Sequence, residues 1–184
     1  GGVSMTLVNS VTSAPFATYV YYLIAPTSGA NTVAITKTSG TDYNSVAASY
    51  TGVLQSASAI DSSNTGPDAD TNVTVATTVV AAGCWLLGAA SGATSITATS
   101  ETSNRTDRQT TARYYTGNLA NVLGFADSNG DVATGSQSII FTTNVGAGVG
   151  TETDAVVFSV APVEAFSSGA GGAGARGEVR IYVS

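Results

Sequence analysis

Apolar and polar positions alternate with a period of two along most of this chain, and no stretch carries the periodicity of a helix. The most apolar run, Phe16 to Ala25, puts Phe16, Thr18, Val20, Tyr22 and Ile24 on one face and Ala17, Tyr19, Tyr21, Leu23 and Ala25 on the other. Both faces are largely apolar, which predicts a strand in a sheet interior, covered on both sides. Pro26 to Ala30 is a turn by composition, and Asn31 to Lys37 alternates after it with Val33 and Ile35 inward. Together the two segments predict a β-hairpin.

The same reading places strands at Val3–Val8, Ser45–Val53, Asn72–Thr77, Gly83–Ala90, Thr94–Thr99, Gln137–Thr143 and Asp154–Val160. Val3–Val8 has no partner before it, which predicts pairing with residues upstream or with another subunit. Gly83–Ala90 is apolar on both faces and predicts core on both sides. Leu54 to Asp70, with its Asn64-Thr65-Gly66-Pro67 signal, reads as a long polar connection, Ser91-Gly92-Ala93 as a break, and Ser100 to Asn118 as a charged loop. Asn144 to Gly150 is a glycine-rich connection. Short strands separated by Gly and Ser turns define an all-β antiparallel β-sandwich, jelly-roll-like. Its predicted core is Tyr22, Ile24, Trp85, Leu87, Ile139, Phe141, Val156 and Phe158.

After Pro162 the composition changes: Ser167 to Gly177 is low-complexity glycine and alanine, and Glu178 to Val183 alternates once more. A boundary near Val163 therefore divides a sandwich domain, 1–163, from a C-terminal appendage, 164–184. Val179, Ile181 and Val183 need an apolar partner. This predicts that the last strand docks along an edge of the same domain or on a neighbouring subunit.

The chain has 184 residues, enough for one large β domain. Only 10% of them are charged, against roughly 25% in an average soluble protein, so Ser, Thr, Asn and Gly must carry the surface. Lys37 is the sole lysine, histidine is absent and the net charge is −6, which argues against nucleic-acid binding. No segment has transmembrane length, so no membrane insertion is expected. The chain opens on Gly1-Gly2 and not on Met, as a processed product or part of a longer protein would. The lone cysteine, Cys84, sits beside Trp85, Leu86 and Leu87 and reads as a small buried hydrophobe. So little charge on bare sheet edges predicts a homo-oligomer.

Without histidine, a Ser-His-Asp triad and His-bearing metal sites are excluded. The carboxylate pairs Asp68/Asp70 and Glu152/Asp154 lie in connections or at strand ends and read as solvated. No catalysis and no cofactor are expected, with Ca²⁺ the one candidate ion. Asp127, Asn129 and Asp131 place oxygen ligands at alternate positions around Gly130, as in the first half of an EF-hand loop, but without that motif's bidentate Glu. Arg105, Arg108 and Arg113 gather with Tyr114 and Tyr115 in one charged stretch. Arg and Tyr are favoured at interfaces, which makes these five the candidate receptor or partner contact. Asn72-Val73-Thr74 and Asn104-Arg105-Thr106 match the N-glycosylation pattern, as chance allows in so Asn- and Thr-rich a chain.

The segments GGVSMTLV, YVYYLIAPTSGANTVAIT, SVAASYTGVLQ, TVVAAGCWLLGAA and DAVVFSVAPV, spread over residues 1–163, follow a recurring pattern. It resembles a β-sandwich module widespread in bacteriophage structural proteins and bacterial surface proteins. The closing GAGGAGARGEVRIY, 169–182, resembles the glycine-rich C-terminal ends of phage tail proteins. The resemblance implies opening strands upstream of Gly1 and supplies no catalytic residues. It implies a structural virion protein of a tail fibre or tail tip, extracellular, acting in assembly and host attachment. Its partners would be copies of itself, in a trimer if it is a fibre, other virion proteins and a cell-surface glycan. A subunit of an extracellular filament or cell-surface layer and a carbohydrate-binding module are the alternatives.

Overall fold

A computed structural model describes residues 2–13, 16–26, 29, 32–36, 43–68, 71–95, 100–116, 119–144, 152–163 and 178–183. Twelve strands run through them: β1 (Thr6–Ser13), β2 (Phe16–Ile24), β3 (Val46–Thr51), β4 (Ile60–Asp68), β5 (Asn72–Val79), β6 (Trp85–Ser95), β7 (Ser100–Ser103), β8 (Thr106–Thr116), β9 (Leu119–Asp131), β10 (Gly135–Asn144), β11 (Glu152–Val160) and β12 (Glu178–Val183). The described helical structure is one 3₁₀ turn, Ala57–Ala59, capped by the Ser56 side chain.

All pairings are antiparallel, in sheets of order β1-β2-β12-β3, β4-β11-β6-β9-β8 and β5-β10-β7. The expected all-β sandwich is present, with one more sheet than the two of a jelly roll. The five-stranded sheet lies in the middle. Leu87, Ala89, Phe125, Val156 and Phe158 face the four-stranded sheet and meet Val11, Val20, Tyr22 and Ile181. The alternate positions Leu86, Ala90, Ala126, Ala155 and Val157 face the three-stranded sheet and meet Val73, Val75, Ile139 and Phe141. Strands β6 and β11 are apolar on both faces because both faces are covered. β5, in an outer sheet, alternates strictly between buried and exposed.

The predicted core residues Leu87, Ile139, Phe141, Val156 and Phe158 are fully buried, with Tyr22 nearly so; Ile24 and Trp85 pack on the core while half-buried. Cys84 is a buried free cysteine in the second core, its thiol pushed up to about 11 by burial and by Asp61.

Several expectations are corrected. β2 does lie inside a sheet, but its two faces differ: Thr18, Val20 and Tyr22 are buried, while on the other face Ala17, Tyr21 and Leu23 are half-buried and Tyr19 is 37% exposed. Tyrosine reads as apolar in a pattern yet tolerates water at its hydroxyl. β2 forms its hairpin with β1, closing at Ser13↔Phe16, so β1 is not an orphan; residues 32–36 lie outside any strand. Ile60–Asp68 is strand β4, paired with β11, and not a connection. Its polar residues suit an edge strand, where Pro67 is tolerated. β6 runs unbroken through Ser91-Gly92-Ala93, and the charged stretch after Ser100 is β7 and β8, the latter on the other edge of the central sheet.

The last strand is not an appendage. β12 sits between β2 and β3, with Ile181 1% exposed in the core. The backbone N–H of Val163, at the expected domain boundary, donates to the Gly52 carbonyl at 2.8 Å. Ser167 to Gly177 lies outside the described residues.

Candidate functional site

The residues read as a Ca²⁺ loop lie at the end of β9, where Asn129 adopts a left-handed φ of 51°. Asp127 is 1% exposed and its carboxylate is fully engaged. Oδ2 accepts from Arg108 Nε at 2.7 Å and from the Tyr50 hydroxyl at 2.8 Å. Oδ1 accepts from Arg108 Nη2 and from the Asn129 backbone N–H, both at 2.9 Å. Arg108 Nη2 also donates to Asn129 Oδ1 at 2.8 Å. Two of the three expected ligands thus surround a guanidinium, and Asp131 stands apart, in register with Trp85. Among the described residues no three His, Cys, Asp or Glu side chains stand close enough to hold a metal.

This clamp ties β3, β8 and β9 together. The bidentate fork gives fixed geometry as well as energy. The hydrogen bond to Asp127 holds the Arg108 guanidinium above its ordinary pKa. Burial, then the bond to Asp127, holds the Tyr50 phenol well above its own.

Of the five candidate contact residues, Arg105 and Arg108 have described side chains, and both are engaged within the fold. Arg105 turns to β10, donating from Nε and Nη2 to the Ser138 carbonyl at 3.3 and 3.0 Å. Arg108 is spent on Asp127. Arg113, Tyr114 and Tyr115 occupy β8 positions opposite Val122, Asn121 and Ala120; their side chains lie outside what is described. Both glycosylation-pattern asparagines are exposed with engaged amides. Asn72 Oδ1 accepts from Thr142 Oγ1, and Asn104 Oδ1 from the Ile140 N–H.

Two further features went unforeseen. Glu101, on β7, is completely buried against the central sheet. Its Oε2 accepts from Thr143 Oγ1 at 2.5 Å, Thr143 Oγ1 lies 2.9 Å from Thr153 Oγ1, and Glu101 Oε1 has no hydrogen-bond partner among the described residues. A Cβ at Gly92 would stand 2.6 Å from Glu101 Oε2, and one at Gly124 2.6 Å from Glu101 Cγ. Both glycines are therefore the room into which the side chain fits, not breaks in the strands. Burial raises the Glu101 carboxyl to about 8, so it is mostly protonated at neutral pH.

The second feature is a pocket of about 440 Å³ between the end of β3 and the start of β6, lined by Tyr50, Trp85, Asp131 and Pro162 over a floor of Val53, Leu87 and Val160. Its size is that of a small-molecule site. The Tyr50 and Trp85 rings meet edge to face, with centroids 6.1 Å apart and planes at 69°. Tyr50 is held in place through its hydroxyl by Asp127. The Trp85 indole N–H and the exposed Asp131 carboxylate have no hydrogen-bond partner among the described residues. The pocket thus offers a fixed aromatic corner with one unused donor and one unused acceptor.

Comparison with protein-family models, curated proteins and solved structures gave no match.

Proposed function

We propose that this protein is a structural component of a bacteriophage virion, in the tail fibre or tail tip, and that it attaches to the host surface without catalysis. The observation that carries the reading is the contrast between its polar sites. The buried Asp127 is locked by Arg108 and Tyr50, and Asp154 by the Ser13 hydroxyl and N–H. The pocket beside the clamp keeps a donor and an acceptor without partners among the described residues. Rigid, spent charges suit a body that bears load, and a recess with unused groups suits recognition. The resemblance of the strand segments and the glycine-rich end to phage structural proteins supports the same setting.

Assembly with copies of itself belongs to this proposal. β1 is the outermost strand of its sheet and exposes Leu7, with Val3 exposed just before it. An outer strand with apolar side chains is a template for another chain. Sedimentation should show an oligomer, and Leu7→Lys should weaken it; a wild-type monomer would contradict this part.

Peptide mass spectrometry of purified particles tests the whole reading. The protein should accompany other virion proteins in fixed ratio. The pocket favours one other reading, a carbohydrate-binding module of a secreted protein, and recovery of the chain with a secreted enzyme and not with particles would select it.

A further inference from the structure

We infer that the Tyr50–Trp85 pocket binds a single neutral pyranose residue of a surface glycan. The inference rests on reading this pocket as the attachment contact and names the chemistry of its ligand.

A pyranose has an apolar C–H face and a rim of hydroxyls. The C–H face needs an aromatic surface that does not move, and a hydroxyl rim needs convergent polar groups that are not already satisfied. The pocket has both. Tyr50 gives its hydroxyl to Asp127, so its ring stays where the clamp puts it. Trp85 stands against that ring and brings an indole N–H with no hydrogen-bond partner among the described residues. Aromatic side chains with a polar handle suit a ligand that is apolar on one side and wet on the other. Asp131 is in register with Trp85 across the β6–β9 pair and reaches the same recess. Its two oxygens can accept from neighbouring hydroxyls of one sugar while the indole donates to a third oxygen.

Charge narrows the ligand class. Asp131 is the one charged side chain among the residues lining the pocket. Arg108, the cation of the clamp, is already bound to Asp127 and Asn129. An acidic sugar would meet Asp131 with no countercharge, so uronic acids are disfavoured. An organic cation is the competing occupant, since aromatic rings and a carboxylate both attract it. The edge-to-face rings argue against it. They form a corner and not a cage of facing rings, and the space is large for an ammonium group.

Trp85 is the sole tryptophan, so its fluorescence reports on the pocket directly. The full chain is titrated with the methyl glycosides of glucose, galactose, mannose and N-acetylglucosamine, with methyl glucuronide and choline as contrasts. At least one neutral glycoside should give a saturable change, with affinity in the millimolar range expected of one sugar in an open site. Asp131→Ala removes an exposed side chain that makes no hydrogen bond among the described residues, so the variant should fold as the wild type. It should lose at least tenfold in affinity. Ligand-observed NMR on the same samples should show saturation transfer to the ring C–H protons of the binding glycoside.

Three results would overturn the inference: no saturable response to any neutral glycoside into the tens of millimolar, tighter binding of choline or glucuronide, or unchanged affinity in Asp131→Ala. Its failure is separable from failure of the virion reading. A chain found in particles with a silent pocket sinks the sugar alone. A chain that binds sugar but is absent from particles sinks the virion alone.

Discussion

Replacing Glu101 with Gln keeps the shape of the side chain and removes its proton equilibrium. In the folded protein the carboxyl is held near pKa 8 by burial, offset by the Thr143 hydrogen bond and reinforced by Asp107, against an ordinary value of 4.5. A raised carboxyl pKa means that between those values the folded state keeps a proton the unfolded state has released. Unfolding then releases a proton, and stability falls as pH rises through the window. The gap from 4.5 to about 8, at about 1.4 kcal/mol per pH unit, makes the full penalty on the order of 5 kcal/mol. It is absent below pH 4.5 and complete above pH 8. Gln has no such term, though its amide must find a place among Thr143, Thr153 and the unpartnered position at Oε1, at a cost of about 1 kcal/mol.

Urea unfolding of wild type and Glu101→Gln at pH 4, 6 and 8 reads the difference, and the slopes of all other groups cancel. The variant should match the wild type or fall slightly below it at pH 4. It should gain steadily to become several kcal/mol more stable at pH 8. A pH-independent difference between the two proteins would refute the reasoning and mean that Glu101 is ionised in the fold, paired with something other than Thr143.

Phe158→Ala empties a fully buried ring position in the first core and should cost about 3–5 kcal/mol in denaturant unfolding. Arg108→Ala leaves the Asp127 carboxylate buried without its fork; because Arg108 is itself 41% exposed, the loss should be about 2–3 kcal/mol and not the larger cost of a fully buried pair. Since Arg108 already occupies Asp127, a chelator should leave the melting temperature unchanged, and a fall in chelator abolished by Asp127→Ala would restore the Ca²⁺ reading. Truncation after Val163 removes β12 from between β2 and β3 and should abolish cooperative unfolding in calorimetry; a shortened chain that melts like the full one would show the strand to be dispensable.

What could be read from the sequence follows from how each strand is covered. β6 and β11 are buried on both faces, so Leu86-Leu87 and Val156-Val157-Phe158 announce themselves by hydrophobicity alone. β4 and β8 lie on the edges of the central sheet, where backbone pairing on one side suffices, and their polar residues read as connections. Gly92 looks like a break because sequence cannot show that Glu101 fills the space above it. The Ca²⁺ spacing at Asp127 and Asn129 was visible, but the partner that occupies it, Arg108, is supplied by the register of β8 on β9. The pocket was equally hidden: Tyr50, Trp85 and Asp131 are far apart in the chain and meet only because β6 pairs with β9 beneath the end of β3.

The central claim, a structural attachment protein of a virion, is tested most directly by immunogold electron microscopy of purified particles with an antibody raised against the folded chain. The account predicts label confined to the distal end or fibres of the tail, and particles treated with that antibody should fail to adsorb to host cells. Unlabelled particles, with the label instead on cell-surface filaments or in the secreted fraction, would contradict it.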